Sequence, residues 1–306
     1  MAEITAGLVK ELREQTGAGM MECKKALQAT AGDLAAAEDW LRKNGALKAA
    51  KKATRTAAEG LVGLAVAGGK GVVVEVNSET DFVARNEDFK SFVTAVAQQA
   101  LTAGDSVDTL LASKLGDATV ADSLTALVAK IGEHMTVRRV GTVEADVVAS
   151  YVHNAAGHDL GKIGVLVALK STADKEKLAA LGKQIAMHVA AASPIALSPA
   201  TIPAEVLEHE KAVQAEIVAK KAVGKPANIV EKMIEGSLRK FYEEVTLLEQ
   251  VFVIDQQSKI SAVLEKAGKD FGAPVEIAAF LRWQVGEGIA KKADDFADEV
   301  AKMAGN

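Results

Sequence analysis

The sequence predicts an α+β protein: a small N-terminal bundle of three helices, two related sheet-plus-helix core subdomains, and a projecting antiparallel helical hairpin. Three observations carry this expectation. Residues 5–44 hold three short amphipathic helical patterns. The order hairpin, connection, apolar helix then occurs twice. A pair of Glu- and Lys-rich helical stretches follows Pro203 and turns at Gly224-Lys225-Pro226. The expected units are 1–55, the bundle and a basic linker; 56–140, the first core subdomain; and 141–200 with a return part at 246–275, the second. Residues 201–245 form the hairpin, and 276–306 a terminal strand and helix module.

At 306 residues the chain can bury a substantial core in two or more packing units. Aromatics are only 4 % while Ala, Val and Gly are plentiful, so cores must be built from small and branched side chains. A formal charge of −5 gives no global attraction to nucleic acid, and no direct specific nucleic-acid partner is expected. The one cysteine, Cys23, cannot form an internal disulfide, which suits a reducing compartment. The Met1-Ala2-Glu3-Ile4-Thr5 start lacks the features of a secretory signal, and no apolar run reaches membrane-spanning length. The expectation is a soluble, cytoplasmic protein with no membrane partner.

Taken in order, Thr5 can cap a helix bearing Leu8, Val9 and Leu12, ending before Gly17. A second helix runs from about Met20 to Ala29, with Cys23, Ala26 and Leu27 inward. Asp33 caps a third carrying Leu34, Ala37, Trp40 and Leu41, with a stop expected at Asn44-Gly45. Arg42, Lys43, Lys48, Lys51, Lys52 and Arg55 then form a basic linker, read as a solvated linker helix. A nucleic-acid contact there is disfavoured because aromatics for stacking are missing. Leu61 to Ala67 and Val72 to Val76 are strands joined by Gly68-Gly69-Lys70-Gly71. Val72, Val74 and Val76 share one face of the second strand, with Glu75 and Asn77 on the other. A helix follows with Phe89, Phe92, Val93, Val96, Ala97 and Ala100 on one face, then two helical pieces within 105–133. Val147 to Tyr151 and the alternating Ile163, Val165, Val167 and Leu169 begin the second copy. Its helix carries Leu181, Ile185, His188, Val189 and Ala192. In the hairpin, Val206, Val213 and Ile217 form one stripe, and Asn228 with Glu231 makes a capping box. Gln250 to Ile254 reads as a strand, followed by a short helix around 262–266. Glu276 to Val285 places Ile277, Ala279, Leu281, Trp283 and Val285 on one side, and 294–303 is a terminal amphipathic helix.

The segment Glu79-Thr80-Asp81-Phe82-Val83-Ala84-Arg85-Asn86 joins a strand to a helix and places Asp81 and Phe82 at a tip. Position alone is compatible with Phe82 as core filler beside an Asp81 helix cap, and equally with Phe82 as an exposed wedge. A search for reaction chemistry is mostly negative. Gly157-His158-Asp159-Leu160-Gly161-Lys162 is one residue short of a phosphate loop and is followed by Ile163. His134, His153, His158, His188 and His209 have no familiar metal spacing, and Cys23 has no neighbouring thiol. His188 lies on an apolar helix face, where a hydrogen-bonded buried histidine is the default. Neither a catalytic residue, a metal site nor a cofactor is expected.

Longer motifs carry a resemblance. Ile4-Thr5-Ala6 through Val9-Lys10-Glu11-Leu12-Arg13, then Thr16-Gly17-Ala18-Gly19-Met20-Met21-Glu22-Cys23-Lys24-Lys25-Ala26-Leu27, resembles the opening of the bacterial elongation factor Ts family. Thr80-Asp81-Phe82-Val83-Ala84-Arg85-Asn86 resembles that family's signature segment. Gly161-Lys162-Ile163-Gly164-Val165-Leu166-Val167, His188-Val189-Ala190-Ala191, Gly224-Lys225-Pro226, Leu247-Leu248-Glu249-Gln250 and Val285-Gly286-Glu287-Gly288 continue it over essentially the whole chain. The resemblance implies a guanine nucleotide exchange factor for the GTPase elongation factor Tu, acting without covalent chemistry. It implies a ubiquitin-associated-like N-terminal bundle and a hairpin used in self-association. It also implies insertion of the Asp81 and Phe82 segment beside the partner's nucleotide and magnesium site. The expected partner contacts are Thr80, Asp81, Phe82, Val83, Arg85 and Asn86 at the tip, Met20 and Met21 on the bundle, His153 on the second subdomain, and Phe296 in the terminal helix. Phe296 is either the anchor of a docked helix or part of the interface. The Asn154 to Leu160 turn looks longer than the family's, which leaves His158 unassigned.

Overall fold

The Thr5 hydroxyl accepts the Leu8 amide hydrogen, and Gly17 at φ +66° closes helix α1 (Ala6–Thr16). Helix α2 (Met20–Ala29) buries Cys23, Ala26 and Leu27 against Leu12 and Ala37, which completes the three-helix core. The computed structural model describes residues 4–222 and 225–290. The expected terminal helix, Phe296, and Gly224 of the hairpin turn lie outside the described residues.

Helix α3 (Leu34–Lys52) is capped by Asp33 as expected, through the Ala36 amide at 2.9 Å, but it does not stop at Asn44-Gly45. The Asn44 side chain donates back to the Trp40 carbonyl at 2.9 Å. Gly45 is buried where α3 crosses a later helix, α6 (Val120–Ile131), and a Cβ there would lie 3.3 Å from the Cβ of Ala129. Close packing outweighs the cost of about 1 kcal/mol that glycine carries inside a helix. The basic stretch is thus a linker helix, as expected, but one continuous with α3 up to Lys52. Lys48 pairs with Glu22, and Lys52 donates to the Gly132 carbonyl.

Strands β1 (Glu59–Ala67) and β2 (Lys70–Ser78) form the expected hairpin around Gly68-Gly69, with Gly68 at φ +59°. Helix α4 (Glu87–Ala103) covers one face with all six apolar residues read from the sequence. Next come α5 (Val107–Ala112), a two-residue ribbon of β3 (Lys114–Leu115) and β4 (Ala118–Thr119), and α6. Strand β5 (Met135–Glu144), unforeseen in the sequence, pairs with β2 along nine positions and runs through residue 140. The second half repeats the plan. Strands β6 (Val147–Gly157) and β7 (Leu160–Lys170) are covered by α7 (Lys175–Ala192), and β8 (Glu276–Gln284) pairs with the other edge of β7.

Two separate sheets were expected; there is one of six strands, ordered β5-β2-β1-β7-β6 with β8 on β7. Its two halves meet at a seam of only two residue pairs, Val62–Gly161 and Gly63–Leu160. About this narrow seam the halves fold onto each other, burying Val62, Leu64, Val73, Val148 and Leu166 between them. The approach is close: a Cβ on Gly71 would lie 2.5 Å from Val148 Cγ1, and one on Gly141 2.9 Å from the Trp283 ring. The result is four layers: α4 to α6, sheet, sheet, then α7 and α10 (Ile260–Phe271).

Other departures have local causes. In β8, Ala168 pairs with Ala279 but Leu169 pairs with Ile277. This bulge turns Ile277 toward the α7 core, while Ala279, Leu281 and Trp283 face the sheet interior. Residues 250–254 form a turn rather than a strand, with one isolated bridge from Val251 to Lys259. His188, fully buried, organises this turn. The Val253 N–H donates to its Nδ1 at 3.2 Å, so the ring's Nε2–H donates to Gln250 Oε1 at 2.9 Å. Burial holds the histidine pKa below its usual value, keeping this neutral tautomer.

The projecting hairpin is α8 (Ala204–Lys221) and α9 (Ala227–Val245). Pro226 occupies the cap position of α9, so the Asn228–Glu231 capping box does not form. Of α8 only Val218 is fully buried, and of α9 no residue is.

Candidate functional site

The tip is built by interrupting one chain trajectory with another. Strand β2 ends at Ser78, whose hydroxyl donates to the Thr80 carbonyl at 2.9 Å and starts the turn. A single 3₁₀ turn over Val83–Arg85 follows, and Asn86 caps α4 by accepting the Asp88 and Phe89 amides at 2.9 and 3.2 Å. Beneath the turn Val83 and Ala84 join Leu61, Val76 and Phe89 in the first core. Between two fixed ends and a buried floor, one ring points outward. Phe82 is 74 % exposed. Of the two readings left open by position, core filler is thereby excluded.

Asp81 sits beside it, half-exposed, with the Arg85 guanidinium 3.5 Å away. Thr80 is half-buried at the root. Two of the expected contact residues also have roles within the chain itself. Val83 is buried and anchors the tip from below, because the 3₁₀ turn directs it into the core. The Asn86 side-chain oxygen is committed to capping α4. Met20 and Met21 stand exposed at the start of α2, and His153 is exposed on β6 with its Nδ1 3.2 Å from the Tyr151 hydroxyl. These residues lie on elements other than the tip. His158 and Asp159 make the two-residue β6–β7 turn, where they pair at 2.8 Å. Among the described residues no group of three or more His, Cys, Asp or Glu side chains is placed to hold a metal ion, and no helix is long and apolar enough to cross a membrane.

Sequence reasoning missed the carboxylates that hold this region. Glu75 on β2 is fully buried at the bulge between Glu75 and Val76. It receives Arg138 at 3.1 Å, Arg139 at 2.5 Å, the Asn77 amide at 3.0 Å and the Gly286 N–H at 2.8 Å. Burial pushes its pKa upward, but the hydrogen bonds from Gly286, Asn77 and Arg139, with the Arg139 charge, outweigh this and hold it below the usual carboxylate value. Arg139 also lies over the Trp283 ring, 4.5 Å from its centroid, and Arg138 donates to the Glu287 carbonyl. The segment after β8 is thus clamped onto β2 and β5. At the root of the tip, Glu79 and Glu133 also carry hydrogen bonds. The signal in the sequence was Glu75 set among Val72, Val73, Val74 and Val76.

Fold and site together define a protein that presents a braced, exposed aromatic on a four-layered α+β body. A protein-family model described as "Elongation factor TS" matches residues 79–287. Proteins named elongation factor Ts from Paramagnetospirillum magneticum and Rhodospirillum rubrum are 60 % and 59 % identical to the chain. Those matches cover 100 % and 98 % of this chain, and 98 % of each relative. The Rhodospirillum centenum elongation factor Ts is 57 % identical over the full length of both. The chain belongs to the elongation factor Ts family. It is a translation elongation factor.

Proposed function

We propose that the chain is the guanine nucleotide exchange factor of elongation factor Tu, and that it promotes GDP release by disturbing the magnesium and phosphate site with its tip. The observation that carries this reading is Phe82, a large ring three-quarters exposed on a turn whose floor is buried. A ring left in water on a rigid support is an unfavourable arrangement unless a partner supplies a slot.

The thermodynamics set the scale. A factor ejects a nucleotide only if the two ligands weaken each other's binding to the GTPase. Weakening by about 10⁴-fold needs roughly 5.5 kcal/mol of differential binding. Burying Phe82 supplies about 1.5–3 kcal/mol of that. Asp81 adds repulsion toward magnesium-held phosphate, or captures groups that had ordered the metal. Neither residue suffices alone. Contacts from Met20 and Met21, from His153, and from the terminal segment that contains Phe296 supply the remainder. No bond is made or broken by this chain; hydrolysis belongs to the GTPase.

The test is release of labelled GDP from purified elongation factor Tu with and without the full chain. Faster release is expected. Unchanged release would reject the exchange reading in favour of a binding module that recruits another client through the bundle.

A further inference from the structure

The turn between α6 and β5 is tied to the root of the tip by two carboxylates running in opposite directions. Glu133 accepts the Thr80 N–H at 3.0 Å and the Thr80 hydroxyl at 2.8 Å, one on each oxygen. Glu79, next to Thr80, crosses back and accepts the His134 N–H at 2.5 Å. The same turn is tied to the end of α3. Lys52 donates to the Gly132 carbonyl, His134 Nδ1 lies 2.7 Å from the Arg55 carbonyl oxygen, and Arg55 Nη1 lies 3.4 Å from both Glu79 oxygens.

The contacts made by Glu133 and by the Glu79–His134 pair each span more than fifty residues of sequence, and they are not needed to form either β2 or α4, whose ends are closed locally by Ser78 and Asn86. What they fix is the direction in which the chain leaves Thr80. Two donors on one carboxylate set both the position and the rotation of that residue. Asp81 and Phe82 follow immediately.

We propose that Glu133 is a positioning residue of the tip: it aims Asp81 and Phe82 at the partner, and through the shared turn it makes that aim depend on where α3 lies. The proposal rests on the exchange reading above. With the partner already gripped by other surfaces, a tip held in its docking geometry loses less conformational freedom as it enters the nucleotide site than a loose one. If the tip disturbs the nucleotide while other surfaces grip the partner, loosening it lowers the maximal release rate and leaves the half-saturating concentration unchanged.

The experiment uses the full chain, Glu133→Ala and Glu133→Gln, with two readouts. Amide hydrogen exchange over residues 79–86 reads the brace, and GDP release from elongation factor Tu across factor concentrations reads its consequence. For Glu133→Ala we expect roughly tenfold faster exchange in 79–86 with the β1–β2 hairpin still protected, and a roughly tenfold lower maximal release rate. Half-saturation should stay within about twofold. Glu133→Gln, which keeps one acceptor, should fall between, and it carries both readouts if the alanine variant loses its fold. Unchanged protection of 79–86 overturns the brace. Faster exchange there with unchanged release overturns the positioning role. If the unaltered chain itself fails to speed release, the exchange reading fails and the positioning role falls with it, while the hydrogen-exchange result still decides the brace.

Discussion

Glu75 shows how one residue can hold a fold together while carrying charge in its interior. Its carboxylate is fully buried, and Arg138 and Arg139 are each about three-quarters buried. Removing one partner from such a set leaves the others without compensation, which costs about 3–5 kcal/mol. Glu75→Ala should therefore lower stability by about 3 kcal/mol, read as a shift in the urea midpoint with an unchanged slope. The sign with pH follows from the depressed pKa. The carboxylate's contribution is complete above its unfolded value near 4.5 and is lost as pH falls through the lower folded value. The alanine variant should lack that part of the acid-side loss, and an acid limb identical to the parent's would show that the carboxylate is not what titrates. From sequence, this residue was placed on the correct face of its strand. That face packs on a second half-sheet, which no local pattern reveals.

At the level of elements, periodicity located α1, α2, α8 and α9 to within a residue or two, because one-sided burial leaves a 3.6-residue signature. Helix α4 is the clearest case: its six inward residues were all legible. The errors arose where long-range contacts override a local signal. Gly45 reads as a stop but serves as a crossing point for α6. Residues 250–254 have an extended composition but are held as a turn by His188. The hairpin is legible as a pair of helices, while its outer face has no cover among the described residues. Ile217 is 37 % and Ile229 42 % exposed. We expect this face to pair two copies, giving a concentration-dependent dimer in sedimentation that is weakened by Ile229→Glu. A chain that stays monomeric at every accessible concentration would remove self-association from the account.

Across the whole molecule, the repeat of hairpin and apolar helix was visible in the sequence, but the single sheet joining the copies was not. Its seam is two residue pairs long, and β5 and β8, which complete each half, are distant in sequence from the strands that they join. The folding of the halves onto each other depends on glycines at close approaches, Gly71 and Gly141, rather than on any periodic pattern. The tip itself was legible only as a position between strand and helix. Its direction is a property of the assembled body, because Val83 and Ala84 sink into one core while the ring above them is left outside.

The central claim is that this outward ring and its acidic neighbour displace the partner's nucleotide. It is tested most directly by GDP release from elongation factor Tu with the Asp81→Ala, Phe82→Ala double variant against the unaltered chain. Loss of the Phe82 burial alone is worth about 1.5–3 kcal/mol, so release should slow by roughly 10- to 100-fold in a variant whose melting midpoint is preserved. A folded double variant that releases GDP as fast as the parent would contradict the account.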